Sequence, residues 1–120
     1  MLTMQLAKIP TAEVNSFIES AMEAPHYWIG GKRVGGNWTW GESEYWNSTT
    51  WTNWAPTEPN NDRGREDCIT IDRDGKWNDQ VWSLTKFKSV LFCTQSGKVK
   101  ENLYSRLCII LNVKKLPLRL

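Results

Sequence analysis

Apolar residues at Val14, Phe17, Ile18 and Met22 fall at helical spacing, Thr11 stands where an N-cap belongs, and Pro25 closes the segment. The pattern predicts a helix opened by Thr11 and ended before Pro25, followed by a short buried strand at Tyr27-Trp28-Ile29. From Gly30 to Asn61 aliphatic residues almost disappear while Gly, Asn, Thr, Ser and Trp dominate, which predicts a long ordered loop region pinned by tryptophans. Alternation returns from Asp67 to Ile71. Asp74-Gly75 is a strong hairpin signal, and Lys76-Trp77 opens the return strand, so this hairpin is expected to bring Glu66 near Asn78. Phe87 to Thr94 predicts a central strand, with Val90 and Phe92 on one face and Leu91 and Cys93 on the other. Ser96-Gly97 breaks the pattern, and Leu103, Leu107, Ile110 and Leu111 suggest an amphipathic helix before Pro117.

Composition narrows the picture. A chain of 120 residues with 40% hydrophobic and 23% charged positions suits one domain. Its eight tryptophans, each ring able to bury roughly 150–250 Å², can build a core from few residues. The net charge of +2 is uneven: residues 96–120 carry +5, leaving −3 on residues 1–95. No stretch approaches the ~18 apolar residues of a membrane span, and Met1 to Pro10 has no continuous apolar signal-peptide core. Cys68, Cys93 and Cys108 cannot all pair within the chain and form no CxxC, which argues against structural zinc. His26 is the one histidine and has no nucleophile placed with it in a recognisable motif, so it is taken as a surface residue and most hydrolase mechanisms are set aside.

Glu58, Asn60, Glu66, Asn78 and Asp79 carry the candidate chemistry. Ca²⁺ takes 6–8 oxygen ligands from carboxylates, amides, carbonyls and water, and this set supplies that type of donor. A sugar hydroxyl on the ion can donate to a carboxylate while accepting from an amide NH₂, so the pairs Glu58/Asn60 and Glu66/Asn78 suit two vicinal hydroxyls. Pro59 between two ligands predicts a cis Glu58-Pro59 bond. Asp72-Arg73-Asp74-Gly75 superficially matches an EF-hand loop, but its first and last ligand positions would be Thr70 and Val81, and it is taken as a turn. Glu58 and Glu66 as a glycosidase acid and base is disfavoured, because two coordinating carboxylates cannot readily also shuttle protons.

Tyr27-Trp28-Ile29-Gly30, Trp38-Thr39-Trp40, Asn53-Trp54, Glu58-Pro59-Asn60-Asn61, Glu66-Asp67-Cys68 and Trp77-Asn78-Asp79 stand in the order and spacing of a C-type lectin domain, which residues 5–95 resemble. The resemblance implies an α+β fold with an N-terminal helix, a long loop region and a small antiparallel sheet. It implies a Ca²⁺ cofactor held by Glu58, Asn60, Glu66, Asn78 and Asp79, with the same residues hydrogen-bonding a sugar and no enzymatic activity. Glu-Pro-Asn in this family goes with mannose-type sugars (mannose, N-acetylglucosamine, fucose), bound through equatorial vicinal hydroxyls. Asn61 and Asp67 match two ligands of an auxiliary calcium site, whose upstream acidic ligands are not evident around Lys32 to Asn37. Trp40, Trp54 and Trp77 occupy positions where the family buries core rings.

Two departures stand out. Trp82 holds the place of the cysteine that would pair with Cys68, and Cys93 matches a cysteine whose partner belongs to a segment preceding residues like Leu6 to Ile18. The expected organisation is therefore a lectin-like domain over 1–95, N-terminally truncated, with 96–120 a basic and apolar extension. The expected setting is extracellular and the expected partners are glycans, with no nucleic acid, no membrane contact and no visible code for oligomerisation. Asn37-Trp38-Thr39 and Asn47-Ser48-Thr49 are glycosylation acceptors in that setting. The competing expectation is a degenerate domain that has lost sugar binding and serves as a protein-interaction module.

Overall fold

The computed structural model describes residues 2–82, 87–95 and 107–110, with a single sheet and one helix. Thr11 caps helix α1 (Ala12–Ala21) through its hydroxyl, which accepts from Val14 N at 3.2 Å. The helix buries Val14, Asn15 and Ile18. Phe17 was expected on that face but is 41% exposed, because at 100° per residue it lies roughly 110° round from the centre of the Val14–Ile18 stripe.

Strand β1 (Leu2–Leu6) runs antiparallel to β7 (Lys88–Gln95), which touches β2 (His26–Val34) in parallel over Tyr27 and Trp28. Strands β3 (Asn37–Trp40) and β4 (Glu44–Tyr45) extend the antiparallel sheet beyond β2. The hairpin of β5 (Cys68–Asp72) and β6 (Trp77–Gln80) hangs from β2 through β5. Strand β7 is thus central, as its sequence predicts. Ser89 and Val90 are buried there, and the facing of Leu91, Phe92 and Cys93 lies outside the described side chains.

Two expectations are corrected. The chain from Gly30 to Asn61 is not uniformly irregular: β2 continues to Val34 and turns back into β3 through Gly35-Gly36, at φ 57° and 83°. A Gly-Gly step is the two-residue turn that suits a twisted hairpin, and only glycine takes both positions freely. Residues 107–110 form strand β8 (Leu107–Ile110), antiparallel to β7, rather than a helical turn. A four-residue apolar run fits both periods, and here pairing with β7 decides. The remainder of the expected helix, including Leu103 and Leu111, lies outside the described residues.

The core joins Ile9, Val14, Ile18, Tyr27, Ile29, Ile69, Ile71 and Val90 to Trp40 and Trp77. The Trp77 indole lies edge-on to Trp40, Trp51 and Trp54 at centroid distances of 5.6–5.9 Å. Its Nε1 donates to Asn15 Oδ1 at 2.8 Å, and Asn15 Nδ2 donates to Gly75 O at 2.9 Å, so one buried amide fastens the helix to the β5–β6 hairpin. Asp74-Gly75 forms the expected turn, with Asp72 Oδ1 accepting from Asp74 N and Lys76 N. The irregular segment after β4 is held by backbone bonds to β6: Trp77 N donates to Asn53 O at 2.9 Å and Ala55 N to Trp77 O at 2.8 Å. These bonds, together with the tryptophan rings, account for the order of a long loop.

Candidate functional site

Trp77 and Asp79 are the buried positions of β6, two residues apart on its inner face. Trp77 enters the core, while the Asp79 carboxylate, 0% exposed, receives the loop. Asp79 Oδ1 accepts from Asn60 N at 3.1 Å, Oδ2 accepts from Asn61 N at 2.7 Å, and Arg33 Nη2 donates to Oδ2 at 3.2 Å. The ligand loop is therefore wrapped around one buried carboxylate.

The loop itself takes several left-handed steps. Thr57 (φ 70°), Asn61 (φ 46°), Arg63 (φ 57°) and Gly64 (φ 67°) all have positive φ, and the Glu58-Pro59 bond is cis, as the sequence predicts. A β-branched residue such as Thr57 is rarely found there, and strain of this type, on the order of 1–3 kcal/mol per residue, collects at binding sites. Side-chain bonds hold the path. Asn60 Oδ1 and Glu66 Oε1 both accept from Asp62 N, at 3.2 and 2.8 Å, and Glu66 N donates to Asn61 Oδ1 at 3.1 Å.

Glu58, Asn60, Glu66 and Asp79 are thus brought together. Asn78 precedes Asp79 on β6, half-buried and in register with Thr70, whose hydroxyl donates to the Asn78 carbonyl at 3.4 Å. Its side-chain amide lies outside the hydrogen-bonded group.

Sequence reasoning missed Arg33. It lies near the end of β2, with its guanidinium 4.3 Å from the Trp38 ring centre. It donates to Glu66 O at 3.3–3.4 Å and pairs with Asp67 at 3.4 Å as well as with Asp79. No local motif announces a cation that reaches the loop from another strand.

Two of these carboxyls, Glu58 and Glu66, are shifted by their surroundings. Burial, then the Asp79 carboxylate in hydrogen-bonding and Coulombic contact, then Glu66 and Asp62, push the Glu58 carboxyl up from 4.5 to about 7. Glu66 is also raised, by burial first and by Asp79 and Asp62, against the opposing Asp62 N–H and Arg33. A carboxyl whose pKa rises on folding favours the fold below its unfolded value, near 4.5, and that contribution is lost as pH climbs to about 7. In EDTA, raising the pH across this window should therefore lower the contribution of the site to the thermal midpoint. The Glu58→Gln variant should show a shallower pH dependence than the parent chain; an identical or steeper one would rule out Glu58 as the source.

The donor set suits Ca²⁺ in kind: three carboxylates and two amides, all oxygen. Glu58 Oε2 is buried without a hydrogen-bond partner among the described residues, and a hard cation would satisfy it. Among the described residues no three carboxylate, imidazole or thiol side chains already stand in metal-binding proximity. The reason is visible in the bonds above: oxygens of Asn60, Glu66 and Asp79 are engaged by backbone N–H groups or Arg33. Coordination would exchange some of those bonds for the ion.

A groove of about 800 Å³, lined by Leu6, Ile29, Gly31, Lys32, Cys68 and Trp82 among others, contains none of Glu58, Asn60, Glu66, Asn78 and Asp79. Cys68 is a free thiol there, raised in pKa chiefly by burial. Trp82 is 54% exposed and packs 4.9 Å from the Trp28 ring instead of supplying a disulfide partner. Both sequon asparagines, Asn37 and Asn47, are exposed, and the Thr49 hydroxyl donates to Asn47 Oδ1 at 2.6 Å.

The model of the lectin C-type domain family matches residues 3–95. Pig (Sus scrofa) E-selectin is 37% identical over 97 residues, covering 71% of this chain and 20% of that protein, so the chain spans about a fifth of its length. The structure of the cow CD23 C-type carbohydrate-recognition domain, determined in the presence of a GlcNAc2Man3 oligosaccharide, superposes with a TM-score of 0.64 at 23% identity, over 79% of this chain and 72% of that chain. A calcium-independent type II antifreeze protein superposes with a TM-score of 0.50 at 30% identity, over 63% and 58% of the two chains.

Proposed function

Because this chain belongs to the C-type lectin domain family, whose members are non-enzymatic carbohydrate-binding domains, we propose that it binds terminal mannose-type sugars through a calcium ion held by Glu58, Asn60, Glu66, Asn78 and Asp79. The observation that carries this reading is the gathering of Glu58, Asn60 and Glu66 around buried Asp79, with Glu58 Oε2 buried and unpartnered. Mannose-type selectivity is part of the proposal because Glu58-Pro59-Asn60 resembles the Glu-Pro-Asn order that goes with equatorial vicinal hydroxyls in this family, and a carboxylate and an amide flanking Pro59 can accept from and donate to such a pair. The site lies on a loop outside the 800 Å³ groove, which suits a shallow, weak, sugar-sized contact rather than an enclosed pocket. The setting proposed for the chain is extracellular, with glycans as partners.

The test is retention on mannose-agarose in Ca²⁺ and release by EDTA, repeated for Glu58→Gln/Asn60→Asp. That double variant should move preference toward galactose-type sugars. Passage of the parent chain through the column regardless of Ca²⁺ would refute the reading.

A second reading has its own support. The unpaired Cys68, the exposed Trp82 and the likeness to a calcium-independent protein of this fold fit a domain that keeps the scaffold and binds a protein instead. Calorimetry showing no Ca²⁺ binding by a folded sample would favour it.

A further inference from the structure

We propose that Arg33 is a tethered competitor of calcium, holding the ligand loop together when the ion is absent and thereby weakening the binding of the ion. The inference rests on the reading of Glu58, Asn60, Glu66, Asn78 and Asp79 as calcium ligands, and goes beyond it by assigning a residue that sets the affinity.

Glu58, Asp62, Glu66, Asp67 and Asp79 crowd onto this part of the surface, and Arg33 is the cation built into them. It pairs with Asp79 at 3.2 Å and Asp67 at 3.4 Å and donates to the Glu66 carbonyl. Its side chain is only 18% exposed and is stacked on Trp38, so it is held in place rather than sampling solvent. Arg63 also pairs with an acid of the loop, Asp62 at 3.9 Å, but with 78% of its side chain exposed, where water screens the pair.

The bond to Asp79 decides the argument. That carboxylate is completely buried, and without Arg33 it would keep its negative charge with two backbone N–H groups and the Glu58 carboxyl against it but no cation paired with it among the described residues. A divalent ion arriving at Glu58, Glu66 and Asp79 neutralises the Asp79 charge that Arg33 neutralises beforehand. Once it is bound, two cations share one carboxylate, and the contribution of Arg33 falls. A group that stabilises the ion-free form more than the ion-bound form weakens binding by the same factor, as linkage requires. The guanidinium therefore lets the loop stay folded at low calcium in exchange for affinity.

The experiment compares the full chain with Arg33→Gln, which keeps amide donors but removes the charge, and with Arg33→Lys, which keeps the charge. Calorimetric titration with CaCl₂ is paired with circular-dichroism melting in EDTA and in saturating Ca²⁺. Arg33→Gln should bind calcium about three- to tenfold more tightly, with the gain shrinking at high salt. Its midpoint should fall further in EDTA than in Ca²⁺, widening the calcium-induced rise in Tm, while Arg33→Lys stays near the parent chain in both. An Arg33→Gln chain that folds only with Ca²⁺ is the limiting case of that asymmetry and supports the proposal. Equal or weaker calcium binding, an equal loss of Tm in both conditions, or failure to fold in either would overturn it and leave Arg33 a plain structural residue. If the parent chain itself binds no Ca²⁺, the ligand reading fails and this inference falls with it.

Discussion

Asp79→Ala is expected to destabilise the domain by about 3–5 kcal/mol and to abolish calcium-dependent retention on mannose-agarose. The substitution removes a carboxylate that is 0% exposed and accepts from Asn60 N, Asn61 N and Arg33. Breaking a buried pair from one side leaves the other charge uncompensated, and here two part-buried backbone donors, Asn60 N and Asn61 N, lose their acceptor as well. A domain stable by about 5–15 kcal/mol would retain little margin. Urea unfolding followed by circular dichroism gives the stability, and the affinity column gives the function. Asp79→Asn, which keeps the shape and one acceptor oxygen, should lose less stability while still losing the column. A loss below about 1 kcal/mol for Asp79→Ala would mean that the loop does not depend on this carboxylate.

Trp77→Ala should cost a similar amount, about 3–5 kcal/mol, for an unrelated reason. The ring is fully buried and stands nearly perpendicular, at 79–85°, to the rings of Trp40, Trp51 and Trp54 packed on it. Truncation empties that space and strands Asn15 Oδ1, which Trp77 Nε1 satisfies at 2.8 Å. Trp77→Phe separates the two effects: most of the packing stays, and the lost hydrogen bond should cost about 1–3 kcal/mol. Far-UV circular dichroism in urea is the appropriate measurement, since the substitution alters the intrinsic fluorescence. If Trp77→Phe proves as damaging as Trp77→Ala, the amide contact rather than the packing carries the stability.

The parts of this molecule legible in its sequence are those fixed by neighbours along the chain. Thr11 caps its own helix, Asp74-Gly75 turns its own hairpin, and Pro59 takes the cis bond its place between Glu58 and Asn60 predicts. The donor set was readable as chemistry because its members come in short clusters at particular spacings. What was not readable depends on distant partners. Asn15 looks like an ordinary polar position on a helix until Trp77 and Gly75 approach it. Arg33 looks like one basic residue among several until β2 carries it beneath the loop. The strands after Gly30 were obscured by a composition of glycine and tryptophan, which suits loops by propensity and was overridden by pairing across Gly35-Gly36.

The way the ligand loop is stitched down has a practical meaning. At its start Ala55 N donates to Trp77 O at 2.8 Å, and at its end Arg33 N donates to Asp67 O at 2.8 Å. Both bonds are backbone to backbone, so neither depends on which side chains lie between them. If the proposed sugar site is right, residues 56–66 are the segment to exchange as a cassette, changing which sugar is held while Arg33 and Asp79 stay behind as the socket.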